Sequence, residues 1–212
     1  MLISDKHVWY VCYGSNIYTE RFMAYINGGR IPGKDTIETG CHDKTPPKAE
    51  KKYILPYELY FAGNSKRWGN AGVAFIKDEK SKDKKTYGKM YLISLEQFID
   101  VVCQENNCQM GMFGEKELLE MIHEGKYVLF PERKYGKLMC IGYDNDIPLV
   151  TFTANQIDKN INSPSEEYIK MLAKGIGNTH GLNNRELADY FQGLAGVRNY
   201  FSIDELRSIC II

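Results

Sequence analysis

The sequence lacks an excess of charge of either sign. Its 212 residues contain 27 Lys and Arg against 27 Asp and Glu, so the formal net charge is zero. Proteins that bind nucleic acid or anionic lipid surfaces carry a positive field that attracts phosphate groups. The balance therefore disfavours both as partners. One local basic stretch, KDEKSKDKKT at 77–86, mixes both signs, and we expect it to be a solvated hairpin loop between two strands.

Long apolar runs and closely spaced cysteine pairs are also missing. No apolar stretch approaches the roughly 20 residues that a membrane-spanning helix needs. No small-residue cleavage site follows the short apolar run near the N-terminus, so we expect no export signal there. The six cysteines are scattered at positions 12, 41, 103, 108, 140 and 210 with no CxxC pair. We therefore expect reduced, mostly buried thiols in a cytoplasmic protein.

The length and the order of elements predict one α+β domain. A chain of 212 residues compares with about 150 per typical domain, so a single domain over 1–212 is expected. It would contain an irregular excursion at about 30–52 and a helical C-terminal third. Apolar segments rich in β-branched and aromatic residues predict strands at 7–13, 57–61, 71–76, 87–93, 126–130, 137–143 and 147–153.

Helices are predicted by apolar periodicity and by capping residues. They cover 17–26 and about 115–123, and others begin at Ser94, Ser163, Asn183 and Ser202. Gly175 and Gly177 are expected to end the helix that begins at Ser163. Strands and helices do not alternate regularly, which favours α+β over a βαβ winding.

The first predicted strand runs into Gly14-Ser15-Asn16 and then a helix. Backbone N–H groups at the start of a helix can bind a carboxylate or a phosphate. Gly14 would let a ligand approach the backbone, while Ser15 and Asn16 could cap the helix or donate to the ligand. The alternative is ordinary turn chemistry, since these residue types are common in turns without a ligand.

A second candidate is Glu105, near the end of the helix that begins at Ser94. It lies seven residues beyond Phe98, so helical periodicity returns it to the apolar face. A carboxylate partly buried at the negative end of a helix would have a raised pKa and could exchange a proton near neutral pH. The alternative is that the helix has ended by Asn106 and that Glu105 points into water.

Three further patterns suggest other chemistry. Cys12 could be a nucleophile with His42 or His123 as its base, although a residue inside an apolar strand is usually packed. The segment GCHD at 40–43 could supply metal ligands, but no second pair has matching spacing. Trp68 could line a pocket or simply pack in the core.

Four separated segments, taken in order, resemble the γ-glutamylcyclotransferase-like family. Tyr13–Ile17, YGSNI, is similar to that family's YGSNL loop, and SKRWGNAGVAFI (65–76) is similar to its glycine-rich run into a strand. YGKMYLISLEQFIDVVCQEN (87–106) resembles the strand and helix that carry the catalytic glutamate. SPSEEYIKMLAKGIGNTHGL (163–182) resembles a C-terminal PSxxYxxxIxxG segment. Many members have aspartate and glycine where this sequence has Val102 and Asn106.

The resemblance implies a small mixed β-barrel flanked by helices, with a pocket at its mouth. It implies an enzyme, of transferase or lyase type, that releases 5-oxoproline from a γ-glutamyl amide without metal or cofactor. Glu105 would be the catalytic acid and base. The residues expected to bind the substrate are Tyr13, Gly14, Ser15, Asn16, Ile17 and Tyr168. The alternative is a non-catalytic protein that binds a small molecule or a partner on the same fold.

Overall fold

The computed structural model describes residues 7–30, 36–156 and 160–211. These residues form ten strands and six helices. The strands are β1 (His7–Cys12), β2 (Gly29–Arg30), β3 (Ile37–Glu38), β4 (Ala49–Leu55), β5 (Tyr57–Ser65), β6 (Ala71–Lys80), β7 (Thr86–Ser94), β8 (Lys126–Val128), β9 (Lys137–Asp144) and β10 (Ile147–Thr153). The helices are α1 (Thr19–Asn27), α2 (Leu95–Glu105), α3 (Glu115–Glu124), α4 (Glu166–His180), α5 (Asn184–Gln192) and α6 (Ile203–Ile209). Single 3-10 turns lie at Ser15–Ile17 and Lys66–Trp68.

The strands form one large mixed sheet and two small pairs. The large sheet has the order β4-β7-β1-β10-β9-β8. Strand β1 runs parallel to β10, with Trp9 opposite Leu149, whereas β10 pairs antiparallel with β9 and β9 with β8. Strands β2 and β3 form one antiparallel pair, and β5 and β6 form the other. This mixed sheet with separate helices confirms the α+β class.

The chain folds into two units, each assembled from three separated segments. The first unit comprises Met1–Val11, Glu20–Lys51 and Met90–Asn155. The second comprises Cys12–Thr19, Lys52–Lys89 and Gln156–Ile212. The expectation of one domain over 1–212 stays a prediction.

An aromatic cluster around Tyr10 forms the core of the first unit. The Tyr10 ring lies 5.6 Å from that of Phe22 on α1, 5.7 Å from Phe98 on α2 and 5.4 Å from Phe152 on β10. Phe22 in turn stacks on Tyr91 of β7 at 4.1 Å. Full burial of such a ring contributes roughly 1.5–3 kcal/mol, so these contacts fix α1 and α2 against the strands.

In the second unit, the β5–β6 hairpin is joined to later parts of the chain. Tyr60 of β5 forms a parallel bridge with Ala195, and Ala62 forms an antiparallel bridge with Ile161. Asn162 donates its side-chain amide to the carbonyl oxygen of Gly63 at 2.9 Å. The segment before α4 is therefore held along the hairpin, which fixes where α4 begins.

Several helix caps match the sequence predictions. Ser94 and Gln97 form a capping box at the start of α2, and equivalent boxes begin α5 at Asn183 and α6 at Ser202. The start of α4 differs, because Ser165 and not Ser163 is its N-cap. Caps depend on contacts within three residues, which is why the sequence predicts most of them.

The prediction that Gly175 and Gly177 end a helix is wrong. Helix α4 continues through both glycines to His180 and ends at Gly181, whose φ of 74° lies in the left-handed region. Glycine lowers helix stability by about 1 kcal/mol relative to alanine, but it also permits close packing. At Gly175 the close packing against Ile17 and Tyr18 decides the outcome.

Two loop predictions also need correction. The 77–86 stretch is not a hairpin loop, because β6 continues to Lys80 and pairs with β5, whereas β7 belongs to the large sheet. The excursion at 30–52 contains β3 and the start of β4, and its residues 31–35 lie outside the described residues. Three consecutive charged residues, 50–52, hide the strand signal of β4, AEKKYIL.

All six cysteines lie among the described residues as free thiols, and four of them are buried. Within the described ranges, none of the helices combines the length and the apolar character that spanning a bilayer requires.

Candidate functional site

The turn after β1 is a single 3-10 turn over Ser15–Ile17, and the residue before it, Gly14, has an extended backbone. Gly14 has φ −100° and ψ −152°. The Ile17 N–H donates to the Gly14 carbonyl oxygen at 3.0 Å, and the Tyr18 N–H donates to that of Ser15 at 3.2 Å. The helix predicted from Ile17 therefore begins two residues later, at Thr19. The Ser15 N–H takes no part in these two bonds, so it is a candidate for an anion site.

Helix α4 lies along this turn because Gly175 has no side chain. A Cβ atom at Gly175 would come within 2.5 Å of Ile17 Cγ2 and 2.7 Å of the Tyr18 backbone nitrogen. Tyr168 lies seven residues earlier on α4, and seven residues are two helical turns, so both residues share one face. The Tyr168 hydroxyl lies 3.3 Å from the position of a Cβ at Gly14. Helix α4 thus contacts both the entry and the exit of the turn.

Tyr168 is held in place on three sides. The Ala74 N–H donates to its hydroxyl oxygen at 3.3 Å. The Trp68 ring lies 4.7 Å from the Tyr168 ring, and the Phe61 ring meets it edge-on at 6.1 Å. Trp68 is 5% exposed, which favours the packing role for this residue over a pocket wall. The sequence-predicted residues Gly14 and Tyr168, far apart in the chain, are therefore neighbours in the second unit.

Burial of the predicted substrate-binding residues varies. Tyr13, Asn16, Ile17 and Tyr168 are buried, whereas Gly14 and Ser15 are half-buried. Gly14 and Ser15 are therefore the most exposed residues of the turn.

Lys89 is a residue near the turn that the sequence interpretation missed. It lies on β7 in the second unit and is 6% exposed. Its Nζ donates to Thr19 Oγ1 at 2.7 Å, and its carbonyl oxygen accepts a bond from the Cys12 thiol at 3.3 Å. A lysine in a strand of mixed pattern is normally assigned to the exposed face, so no local signal marks it. The buried, hydrogen-bonded Cys12 thiol gives no support to a nucleophilic role.

Glu105 lies in the first unit as the last residue of α2, and it is half-buried. The helix therefore reaches Glu105 but ends directly after it. Asn106 fixes this end: its side-chain amide donates to the carbonyl oxygens of Val102 at 3.0 Å and Tyr135 at 3.1 Å. Its Oδ1 accepts from the Tyr135 N–H at 3.0 Å. Asn106 thus anchors the backbone next to Glu105.

The segment GCHD at 40–43 has a structural role, because its backbone is hydrogen-bonded to side chains of α2. The backbone N–H of His42 donates to Asp100 Oδ2 at 2.8 Å, and the Gly40 N–H donates to Gln104 Oε1 at 3.1 Å. Burial raises the pKa of the Cys41 thiol to about 12, and the negative charge of Asp100 adds to this shift. Across the described ranges, no three His, Cys, Asp or Glu side chains group as metal ligands would.

Comparisons with known proteins bear on the fold and on the extent of the chain. No family model matches the sequence. The chain is 32% identical over 202 residues to histone deacetylase 5 of Arabidopsis thaliana, an alignment that covers 89% of this chain and 31% of that protein. The chain thus spans less than a third of the length of this curated relative.

Two solved structures are similar to the chain at 13% sequence identity. One is described as a γ-glutamyl cyclotransferase, with a TM-score of 0.49 over 95% of this chain and 98% of that chain. The other is an uncharacterized human protein, loc79017, with a TM-score of 0.50 over 96% of this chain and 99% of that chain. Likeness at this identity concerns the arrangement of elements alone. In that respect the resemblance found in the sequence is confirmed, and the chain has the γ-glutamylcyclotransferase-like fold.

Proposed function

We propose that the chain is an enzyme that cyclises a γ-glutamyl amide to 5-oxoproline and releases an amine or an amino acid. The observation that carries the proposal is the contact of Tyr168 with the Gly14 turn, 3.3 Å from hydroxyl to Cβ position. Three of the four segments that resemble the family meet there, because Ala74 and Trp68 of the second segment also contact Tyr168. The backbone N–H groups of the turn and the Tyr168 hydroxyl are groups that can bind a small polar ligand.

The reaction needs little from the protein beyond position and proton transfer. The α-amine of the substrate attacks its own γ-carbonyl carbon, a new C–N bond closes a five-membered ring, and the amide C–N bond breaks. Because nucleophile and electrophile belong to one molecule, a correct bound conformation supplies much of the acceleration. One proton must leave the attacking nitrogen and reach the departing nitrogen.

The turn supplies the anion-binding part of this scheme. Backbone N–H groups at Ser15 and Asn16 lie just before α1, whose positive end favours negative charge. They bind the α-carboxylate of the substrate. The absence of a side chain at Gly14 leaves room for the ligand beside the Tyr168 hydroxyl, which can hydrogen-bond to it.

Glu105 performs the proton transfer. It accepts the proton from the attacking amine as general base and returns it to the leaving nitrogen as general acid. Its half-buried position at the end of α2 supports this role, because a fully exposed carboxylate would have no defined geometry. Asn106 keeps that end of the helix in place through its three side-chain hydrogen bonds.

A second candidate is a non-catalytic protein that binds a small molecule or a partner on the same fold. The observation that favours it is the alignment with the plant relative, in which this chain matches only 31% of a longer protein. A protein of this kind would bind a γ-glutamyl compound or a partner through the same turn without turnover.

The test is an assay for 5-oxoproline with a panel of γ-glutamyl amides and two glutamate variants. Glu105→Gln removes the proton acceptor and should lower kcat on the order of 10²–10⁴-fold, with binding retained. Glu96→Gln is the matched control, because it makes the same change at an exposed position of the same helix. It should leave kcat unchanged.

Two results would contradict the enzymatic proposal. One is a Glu105→Gln variant that turns over as fast as the parent protein. The other is a parent protein that binds γ-glutamyl amides in calorimetry but releases no 5-oxoproline, which would favour the non-catalytic protein.

A further inference from the structure

Lys89 connects the two ends of the chain segment that forms the turn. Cys12, just before the turn, donates its thiol to the Lys89 carbonyl oxygen at 3.3 Å. Thr19, just after the turn, accepts a hydrogen bond from the Lys89 ammonium at 2.7 Å. One residue of β7 therefore holds both the entry and the exit of residues 13–18. A shift of Lys89 would move the backbone N–H groups between them.

The approach of β7 to the turn is close and specific. A Cβ at the neighbouring Gly88 would clash with a Leu55 side chain and lie 2.8 Å from the Cys12 carbonyl oxygen. The glycine thus allows β7 to run directly against the end of β1. Because of this approach, the Lys89 side chain reaches Thr19 although Lys89 is only 6% exposed.

The charge of Lys89 adds to the field at the turn. Thr19 is the first residue of α1, and the N-terminal end of a helix already carries a partial positive charge. A buried ammonium at this end acts through a medium of lower dielectric than water, so its effect on a nearby anion is less screened. Both contributions favour a ligand with a full negative charge over a neutral one.

We propose that Lys89 is the positioning residue of the turn and sets its preference for a substrate with a free α-carboxylate. The inference rests on the proposed function, which assigns the carboxylate to the N–H groups of Ser15 and Asn16. It adds a residue to that function, because Lys89 determines how strongly an ionised α-carboxyl group is preferred. Amides with a blocked, neutral α-carboxyl group are disfavoured.

The experiment compares two substrates that differ only at the α-carbon group. One is a γ-glutamyl amide with a free α-carboxylate, and the other carries an α-carboxamide with the same leaving amine. For the parent protein, kcat/KM should favour the carboxylate roughly 10- to 100-fold, the effect of one charge-assisted interaction. In Lys89→Met this preference should fall to about threefold or less, mainly through a higher KM for the carboxylate.

Two further variants separate position from packing. Lys89→Arg keeps the charge and should retain most of the preference. Lys80→Met makes the same replacement at an exposed position of β6 in the same unit. It should leave kcat/KM unchanged for both substrates. The inference is overturned if Lys89→Met lowers kcat/KM equally for both substrates, or if the parent protein has no preference for the carboxylate. The second result needs no variant, so it holds even if Lys89→Met does not fold.

A binding measurement distinguishes failure of this inference from failure of the proposed function. Calorimetry with L-5-oxoproline and with its α-carboxamide requires no turnover. If neither γ-glutamyl substrate reacts but the parent protein binds the carboxylate more tightly and Lys89→Met loses this difference, the enzymatic proposal fails and the role of Lys89 stands. Equal binding of both compounds by the parent protein overturns the role of Lys89.

Discussion

Gly175→Ala is the most direct test of how the turn is held, because two effects of opposite sign compete. Alanine in a helix interior is more favourable than glycine by about 1 kcal/mol, which predicts a more stable protein. However, the new Cβ would lie 2.5 Å from Ile17 Cγ2, 2.7 Å from the Tyr18 nitrogen and 2.8 Å from the Ile17 carbonyl carbon. Two of these three atoms are backbone, which cannot rotate away.

The contact should outweigh the helix propensity. Overpacking a well-packed site costs typically about 1–3 kcal/mol, so after the gain of about 1 kcal/mol from alanine the net change is about 0–2 kcal/mol of lost stability. For a chain of this size each kcal/mol lowers Tm by about 2–4 °C. The same displacement moves the N–H groups of Ser15 and Asn16, so KM for a γ-glutamyl amide should rise.

Calorimetric Tm and urea unfolding measure the first effect, and Asn178→Ala is the control. Asn178 is exposed on the same helix, so alanine there should raise stability by a few tenths of a kcal/mol, since only propensity changes. The reasoning is refuted if Gly175→Ala raises Tm as much as Asn178→Ala does. That result would mean that α4 does not pack on the turn as closely as the structure has it.

Two further predictions concern the end of α2 and the pH dependence of stability. Asn106→Ala removes three side-chain hydrogen bonds at a 5% exposed site, so urea unfolding should show a loss of about 3 kcal/mol. A loss below about 1 kcal/mol would contradict this anchoring role. Burial lowers the pKa of His180 below its usual 6.5. The folded state favours the neutral ring. The stability that His180 contributes is therefore present above pH 6.5 and is lost as the pH falls through the lower pKa of the folded state. Tm measured between pH 8 and 5 should therefore fall less steeply in His180→Asn, and an unchanged slope would contradict the assignment.

The Gly14 turn and Tyr168 show how far a sequence pattern can lead to a site. Each was selected from its own short segment, and only the resemblance to a family assigned both to one substrate site. The structure brings them to within contact distance, whereas the catalytic role of Glu105 stays a prediction. The sequence also placed Glu105 at a helix end correctly: the capping box at Ser94 fixes where α2 begins, and the apolar period continues to Glu105.

The sequence by itself determined the features that depend on residues close in the chain. Capping at Ser94, Asn183 and Ser202 involves partners three residues away, and the buried strand at His7–Cys12 follows from its apolar run. Only the tertiary structure decided that α4 continues through Gly175 and that Lys89 is buried beside the turn. In both cases the deciding partner lies far away in the sequence, and local propensity favours the opposite result: glycine ends helices, and lysine is normally exposed. Packing against a backbone that is distant in the sequence reverses such preferences. A local sequence pattern contains no information on that packing.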